Sequence, residues 1–510
     1  MLPFKEFKKL SKKHNMIPLY EEIIGDTQTP VSLYKQLSEL NDYSYLLESA
    51  TSGERLNVGR YSFIGISPEK IIKNNGKAIL VTNSAGEVQE KIKNSTLNQY
   101  LKKYLQKINV LQIENLPPFS GGLVGYFGYE MIEQWEDLFH NQPDRRLQKS
   151  DLPSTILVIS KMVVVYDHLT KTIKIIDNIF LEDNLTETEI EKKYQESQKK
   201  IESIINKIRQ PGAVLDNISR NQKLDKTKID SNTEKAEFEN MVKKARQYIK
   251  EGEVFQLVLS QKFSLETDQK PFQIYRALRV SNPSPYMFYL NFPEIKLIGS
   301  SPEILVQVNE GKVITRPLAG TRKRGENRKE DSRLEADLKN DEKERAEHIM
   351  LVDLGRNDLG KVCQYNTVET TELLGIEYYS RVMHLVSQVE GVKKENLSSL
   401  DVLKSVFPAG TVSGAPKIRA MELIDELEKE PRGTYAGAVG YIDFRGNLDT
   451  CITIRTFSYR NGELTLQVGA GMVADSVPEK EYRETLNKAQ ALFEALEITR
   501  EEVPNGLSYR

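Results

Sequence analysis

The 510 residues predict an α+β protein built on antiparallel sheet. Short strand-like runs follow one another across tight turns, the pattern of antiparallel pairing. Asn461–Gly462 stands between two alternating segments, a strong hairpin signal. Helical periodicity is gathered into separate stretches, which argues against a wound parallel sheet.

In chain order, Lys77–Thr82 reads as a strand and Met162–Ile176 as a hairpin turning at His168–Lys171. Glu189–Ile208 is a charged helix that keeps Ile190, Tyr194, Ile201, Ile205 and Ile208 near one face. The polar stretch that follows holds Pro211–Gly212 and many Lys, Asn and Asp, as loops do. The chain therefore divides into residues 1–210, a linker or surface loop at 211–232, and a second part at 233–510. In the second part, Val254–Phe263, Tyr286–Phe292, Lys296–Val308 and Lys312–Leu318 read as strands. Asp331–Leu354, Pro416–Leu427 and Pro478–Leu496 read as helices. A meander of Tyr435–Phe444, Thr450–Tyr459 and Glu463–Ala474 lies between the last two, with turns at Arg445–Asn447 and Asn461–Gly462.

Composition removes several classes of function. At roughly 150 residues per domain, the length allows two to four domains and a large core. With 71 basic and 73 acidic side chains the net charge is −2, without the basic excess of a nucleic-acid binder. Cys363 and Cys451 are the two cysteines, too few for a disulfide framework, a four-cysteine zinc site or an iron–sulfur cluster. The five histidines are scattered, with no pair at metal-ligand spacing. The lysine-rich start MLPFKEFKKLSKKH leads into no apolar run and lacks the arginines of a transit peptide. No apolar run approaches the length of a membrane span. A cytoplasmic protein that enters no membrane is expected.

Several segments can carry chemistry. Glu344, Glu347, His348 and Leu351 are spaced to share a helix face. Two carboxylates on one face repel, and a bound cation would relieve them; a solvated face is the alternative. On Pro478–Leu496 the apolar stripe is Tyr482, Leu486, Ala489, Phe493 and Leu496, while Glu481, Glu484 and Lys488 lie elsewhere on the helix. That polar face suits a metal and an anion, or a surface ion pair. Phe407–Lys417, FPAGTVSGAPK, precedes a helix and offers backbone N–H groups to an anion, although its spacing is not that of a Walker loop. Gly469–Ala470–Gly471 ends an alternating strand, where glycines mark close approach of a ligand or another backbone. Arg455 alternates onto one strand face with Cys451, Thr453 and Phe457 and needs a partner, either a ligand carboxylate or an interior acid. His384, among apolar neighbours, is either a core residue or a proton-transfer group.

From about Glu234 onward the sequence resembles the chorismate-utilising enzymes. The resemblance rests on RPLAGTRKRG at Arg316–Gly325, EHIMLVDLGRND at Glu347–Asp358, VMHLVS at Val382–Ser387, FPAGTVSGAPK at Phe407–Lys417, YAGAVGY at Tyr435–Tyr441, TIRT at Thr453–Thr456, GAG at Gly469–Gly471 and EYRETLNKA at Glu481–Ala489. It implies a sandwich of antiparallel β-sheets flanked by helices, and Mg²⁺ as cofactor. The family's metal ligands fall on Glu347 and Glu484, with Glu344 and Glu481 placed to bind metal-bound water. Its chorismate contacts fall on Gly320, Thr321, Tyr435, Arg455, Gly469, Ala470 and Gly471. Its catalytic histidine falls on His384, with Thr411 and Lys488 close to the substrate. Residues 233–510 then form the catalytic part and 1–210 a regulatory and supporting part of the same sandwich.

Within the family the resemblance narrows to the large subunits of anthranilate synthases. Ala319 stands where aminodeoxychorismate synthases carry a nucleophilic lysine. Gln256 stands where isochorismate and salicylate synthases carry a lysine that activates water. Glutamine is no general base, so ammonia is the better nucleophile. LLES at Leu46–Ser49 and NPSPYM at Asn282–Met287 match a tryptophan feedback site made by Ser49, Pro285, Tyr286 and Met287, with Glu48 nearby. Neither cysteine sits in the glycine-rich turn of a glutamine amidotransferase. Ammonia would therefore come from a separate amidotransferase small subunit in a heterotetramer, and the pair would act as a carbon–oxygen lyase.

Overall fold

The computed structural model describes residues 1–38, 42–49, 59–136, 138, 150–210, 228–379 and 382–498. Two antiparallel sheets, each of twelve strands among the described residues, form a sandwich. The first runs Met16–Ile24, Thr172–Phe180, Met162–Asp167, Tyr61–Ile66, Ser44–Glu48, Tyr286–Asn291, Lys296–Ser301, Thr456–Arg460, Glu463–Met472, Gln256–Glu266 and Asp230–Ser231, with Gly414–Ala415 also paired to the Gln256 strand. The second runs Leu318–Lys323, Val382–Val392, Lys312–Thr315, Ile304–Asn309, Leu448–Ile452, Ala438–Asp443, Gly122–Phe127, Thr155–Ser160, Lys70–Asn74, Ile79–Thr82 and Val88–Ile92, with Glu369–Tyr378 on the far side of Val382–Val392.

Each sheet mixes early and late strands. Ser44–Glu48 pairs with Tyr286–Asn291 in the first, and Gly122–Phe127 with Ala438–Asp443 in the second. Of the 211–232 segment, residues 211–227 lie outside the described residues, and Asp230–Ser231 pairs with the Gln256 strand.

Side-chain alternation explains the apolar runs. In Met162–Asp167, Val163 and Val165 enter the core between the sheets, while Met162, Val164 and Tyr166 pack against the helices outside. A strand covered on both faces reads as continuously apolar. The inner core also takes Tyr45, Phe63 and Phe288 from the first sheet and Tyr126, Val158 and Val439 from the second. The outer helix Glu187–Arg209 opens with a Thr186–Glu189 capping box and buries Tyr194, Ile201, Ile205 and Ile208. Among the described residues no helix is long and apolar enough to cross a membrane.

Five sequence expectations change. Lys296–Val308 is two strands in different sheets, broken at Pro302, which has no N–H for a ladder. Thr450–Tyr459 splits likewise into Leu448–Ile452 and Thr456–Arg460. Arg455 lies between them with φ 49°, so it does not share a strand face with Cys451, Thr453 and Phe457. Asp331–Leu354 contains two helices, because the Asp341 carboxylate caps a new one by accepting from the Lys343 and Glu344 amides at 3.0 and 3.1 Å. In Pro478–Phe493 the buried residues are Thr485, Ala489, Leu492 and Phe493, and Leu486 is 36% exposed.

Candidate active site

Both places where the late strands change sheet lie side by side. The Ile452 amide donates to the Glu303 carbonyl at 3.0 Å, and the Ser300 amide to the Arg455 carbonyl at 3.1 Å. Glu303 and Arg455 thus come near enough to act on each other's charge by way of two chain breaks. Left-handed backbone at a non-glycine residue costs about 1–2 kcal/mol, and Arg455 is held there by these contacts. Its guanidinium makes no hydrogen bond or ion pair among the described residues. Burial pulls its pKa down, while nearby Tyr379 and Glu303 push it up. A ligand carboxylate would complete it.

Glu303 is a candidate site residue that the sequence does not single out. It is 7% exposed, accepts from the Thr411 hydroxyl at 3.0 Å, and is pushed up to about 8 by burial, against Thr411 and Arg455. At neutral pH it holds a proton. Its sequence signal was a single acid behind a proline in an apolar run, Ser301–Pro302–Glu303–Ile304.

His384 stands on the Val382–Val392 strand opposite Thr321. Its Nδ1 is 2.9 Å from the Thr321 hydroxyl and 3.3 Å from the Gly320 carbonyl, which can only accept. That carbonyl places the proton on Nδ1. The other nitrogen, Nε2, is buried and without a hydrogen-bond partner among the described residues. Burial, reinforced by Arg455, lowers the imidazole to about 4, so it is neutral near pH 7. The Tyr379 ring meets it edge-on at 5.3 Å, another contact absent from the sequence reading.

The acidic cluster comes from two helices. The Gln256 amide donates to Glu347 at 3.2 Å, and its own carbonyl oxygen is buried without a partner among the described residues. Burial raises Glu347, with Glu344 and Glu484 adding repulsion. Burial also raises Glu481, again with Glu484 adding to it. Glu344 pairs with Arg322 at 3.2 Å. Lys488 bridges Glu484 at 2.7 Å and the Gly469 carbonyl at 2.9 Å, tying this helix to the Gly469–Gly471 strand. Two carboxylates raised by burial, with further acids beside them, fit a cation better than a solvated face. Among the described residues, no group of three or more His, Cys, Asp and Glu is placed to hold a metal ion. The donor set fits a hard cation on few protein ligands, completed by water and substrate, which is the habit of Mg²⁺.

Glycine is required at Gly469, because a Cβ there would stand 2.5 Å from the Tyr435 hydroxyl. Gly320, with φ 83°, carries the chain past Glu344 and Leu385 where a Cβ would clash. Ala470 points the other way, 1% exposed in the core, so only its backbone faces the site.

A second cavity, of about 360 Å³, opens between the sheets. Glu48, Ser49, Pro285, Tyr286 and Met287 all line it, with Tyr441, Asp449 and Cys451. Tyr275 donates to one Glu48 oxygen, and Arg279 reaches it at 3.1 Å. The other Glu48 oxygen and the Ser49 hydroxyl are buried without partners among the described residues. Tyr286 and Gln307 donate to Asp449 at 2.8 and 3.0 Å.

Both cysteines are buried, and burial raises Cys363 to about 11 and Cys451 further. Neither is an activated nucleophile.

The sequence model of the chorismate binding enzymes matches residues 42–494. Anthranilate synthase component 1 of Aquifex aeolicus is 46% identical over 98% of both chains. The protein of the same name from Acetivibrio thermocellus is 46% identical over 96% of this chain and 97% of its own. The crystal structure of anthranilate synthase component I from Streptococcus pneumoniae superposes with a TM-score of 0.72 at 35% identity, covering 87% of this chain and 95% of that one. By matched length, by identity and by fold, the chain belongs to the chorismate binding enzymes, in the anthranilate synthase component 1 family.

Proposed function

We propose that the chain is the large subunit of an anthranilate synthase, converting chorismate and ammonia to anthranilate and pyruvate at the start of tryptophan biosynthesis. The observation that carries the choice of nucleophile is Gln256. Its amide lies at Glu347 with an unpartnered carbonyl oxygen, and Ala319 offers only a methyl group. Neither side chain takes a proton from water or attacks the ring. The nucleophile must bring its own basicity, as ammonia does.

Arg455 and the amides of Gly469–Gly471 receive the enolpyruvyl carboxylate. Tyr435, Gly320 and Thr321 shape the rest of the substrate site. Glu347 and Glu484 would hold Mg²⁺, with Glu344 and Glu481 reaching it through water. When bound, the ion anchors the ring carboxylate and neutralises charge that develops there. Ammonia forms a bond to ring carbon 2 as the carbon 4 hydroxyl departs. Glu303, protonated and held by Thr411, gives that hydroxyl its proton so that it leaves as water, and the surplus proton of the new carbon–nitrogen group restores the acid. The free Nε2 of His384 then takes the carbon 2 proton as the enolpyruvyl group leaves, and the ring becomes aromatic. Lys488 holds the Gly469 carbonyl and Glu484 in register.

The Glu48 cavity suits tryptophan as feedback inhibitor. Glu48 supplies an acceptor for the α-ammonium group, Ser49 a donor for the carboxylate, and Pro285, Tyr286 and Met287 an apolar wall. In this reading residues 233–510 carry catalysis and 1–210 support and regulate it. A separate amidotransferase subunit delivers ammonia, in a cytoplasmic assembly.

The test is fluorescence detection of anthranilate from chorismate, ammonium and Mg²⁺, with and without tryptophan. Anthranilate formation that tryptophan suppresses is expected, with no product when glutamine replaces ammonium for the isolated chain. A product aminated at carbon 4 would sink the assignment. Glutamine-dependent activity of the chain alone would remove the need for a partner.

A further inference from the structure

Arg432 is absent from every role above, yet it is 4% exposed and its N–H groups are spread over three segments. Its Nε and Nη2 donate to Glu428 at 2.9 and 2.7 Å. Nη1 donates to the Val412 carbonyl at 2.7 Å, and Nη2 also to the Val258 carbonyl at 2.8 Å. Its guanidinium carbon lies 4.9 Å from the Tyr129 ring centroid and 5.5 Å from that of Tyr435.

Each partner leads to the substrate site. Val412 follows Thr411, whose hydroxyl is on Glu303. Val258 pairs with Gly471, and Ser260 with Gly469, in the sheet ladder. Ser260 donates to Glu428 through both its amide and its hydroxyl, each at 2.8 Å. Tyr435 brings its hydroxyl against Gly469.

We propose that Arg432 is a positioning residue for the carboxylate end of the substrate site, holding Tyr435, the Thr411 turn and the strand behind Gly469–Gly471 in one arrangement. The inference rests on reading those residues as the chorismate site. Stability alone does not account for the pair, since well-packed apolar residues often replace a buried ion pair without loss. What apolar residues cannot do is bind two carbonyls and a carboxylate while lying against two rings. Lysine keeps the charge but lacks the planar fork.

The test is Arg432→Lys in the full chain, with circular dichroism and steady-state titration of chorismate at saturating ammonium and Mg²⁺. A positioning role predicts a KM for chorismate raised about tenfold with kcat changed by less than about threefold, the mark of lost uniform binding. A purely structural role would lower kcat through a reduced folded fraction and leave KM alone, which overturns the proposal. If Arg432→Lys does not fold, Ser260→Ala decides. It removes one of the two Ser260 hydrogen bonds to Glu428 and the acceptor of the Gln467 amide, while leaving Arg432 in place, and KM should rise about threefold. An unchanged KM there overturns the role of Arg432 while wild-type activity stands. A wild-type chain that forms no anthranilate overturns the substrate-site reading instead.

Discussion

The polar cleft at the sheet-switching points and the Glu48 cavity share strands and differ in what they leave unsatisfied. Among the described residues, the cleft presents Arg455 without a partner, His384 with a free nitrogen, and Glu347 and Glu481 raised by burial beside other acids. It is incomplete without an anion and a cation. The cavity has apolar and aromatic walls, with one Glu48 oxygen and the Ser49 hydroxyl as its orphaned polar atoms. It is complete except for a small zwitterionic head on an apolar body. One site stores charge for a reaction, and the other discriminates by shape. They are also connected. Asp449 and Cys451 line the cavity on the Leu448–Ile452 strand, which ends three residues before Arg455. Tyr286 and Met287 line it on the strand paired to Lys296–Ser301, which ends two residues before Glu303. A ligand that shifts either strand moves a residue of the cleft. Linkage then requires chorismate to weaken tryptophan by the factor by which tryptophan weakens chorismate.

The strongest way to separate the two sites is to remove charge from the cleft. Glu484→Gln should cost about a thousandfold in kcat/KM, as expected for losing several kcal/mol of metal-borne stabilisation. Tryptophan binding, followed by calorimetry, should stay as in wild type. Parallel loss of both functions would break the comparison, because it would place Glu484 in a structure common to the two sites.

The reverse experiment is smaller. Glu48→Gln keeps the size of the side chain and removes the charge that faces the inhibitor's ammonium group. A charged hydrogen bond is worth about 1.5–3 kcal/mol, so inhibition should weaken about 10- to 100-fold. The kcat/KM for chorismate without tryptophan should not change. Full inhibition by tryptophan in this variant would show that the cavity is not where it binds.

How far each site could be read beforehand follows the range of its interactions. Glu344, Glu347, Glu481, Glu484 and Lys488 were legible because helical spacing groups them locally, and the Asn461–Gly462 turn because two residues specify it. Within one helix or hairpin, spacing carries the information. Arg455 was misplaced because strand alternation was extended through a point where the chain changes sheets. Glu303 was missed because its partner Thr411 lies 108 residues away, and Arg432 because, apart from Glu428 four residues before it, the contacts that tie it to the site are remote, 174 residues away at Val258. Nothing local marks such pairs. The order of strands was illegible for the same reason, since neighbours such as Ser44–Glu48 and Tyr286–Asn291 meet only in the folded sheet.

Proton titration gives the smallest effect and the finest distinction. Each site holds a buried carboxyl raised by burial, Glu303 in the cleft to about 8 and Asp449 in the cavity to about 6. The two should titrate apart. Glu303 donates only when protonated, so kcat should hold below about pH 8 and fall as the pH rises through it. His384, lowered to about 4, stays neutral across that interval and adds no limb of its own. Asp449 holds Tyr286 and Gln307 best as the anion, so tryptophan inhibition should weaken a few-fold as pH falls through about 6. The measurement is a pH series of anthranilate formation at fixed fractional inhibition. Glu303→Gln should leave a slow rate that is flat from neutral pH into the alkaline range, while Asp449→Asn should flatten only the acidic change in inhibition. An alkaline fall that survives Glu303→Gln assigns the proton donor elsewhere, and the division between a charge-storing site and a shape-reading site would lose its acid.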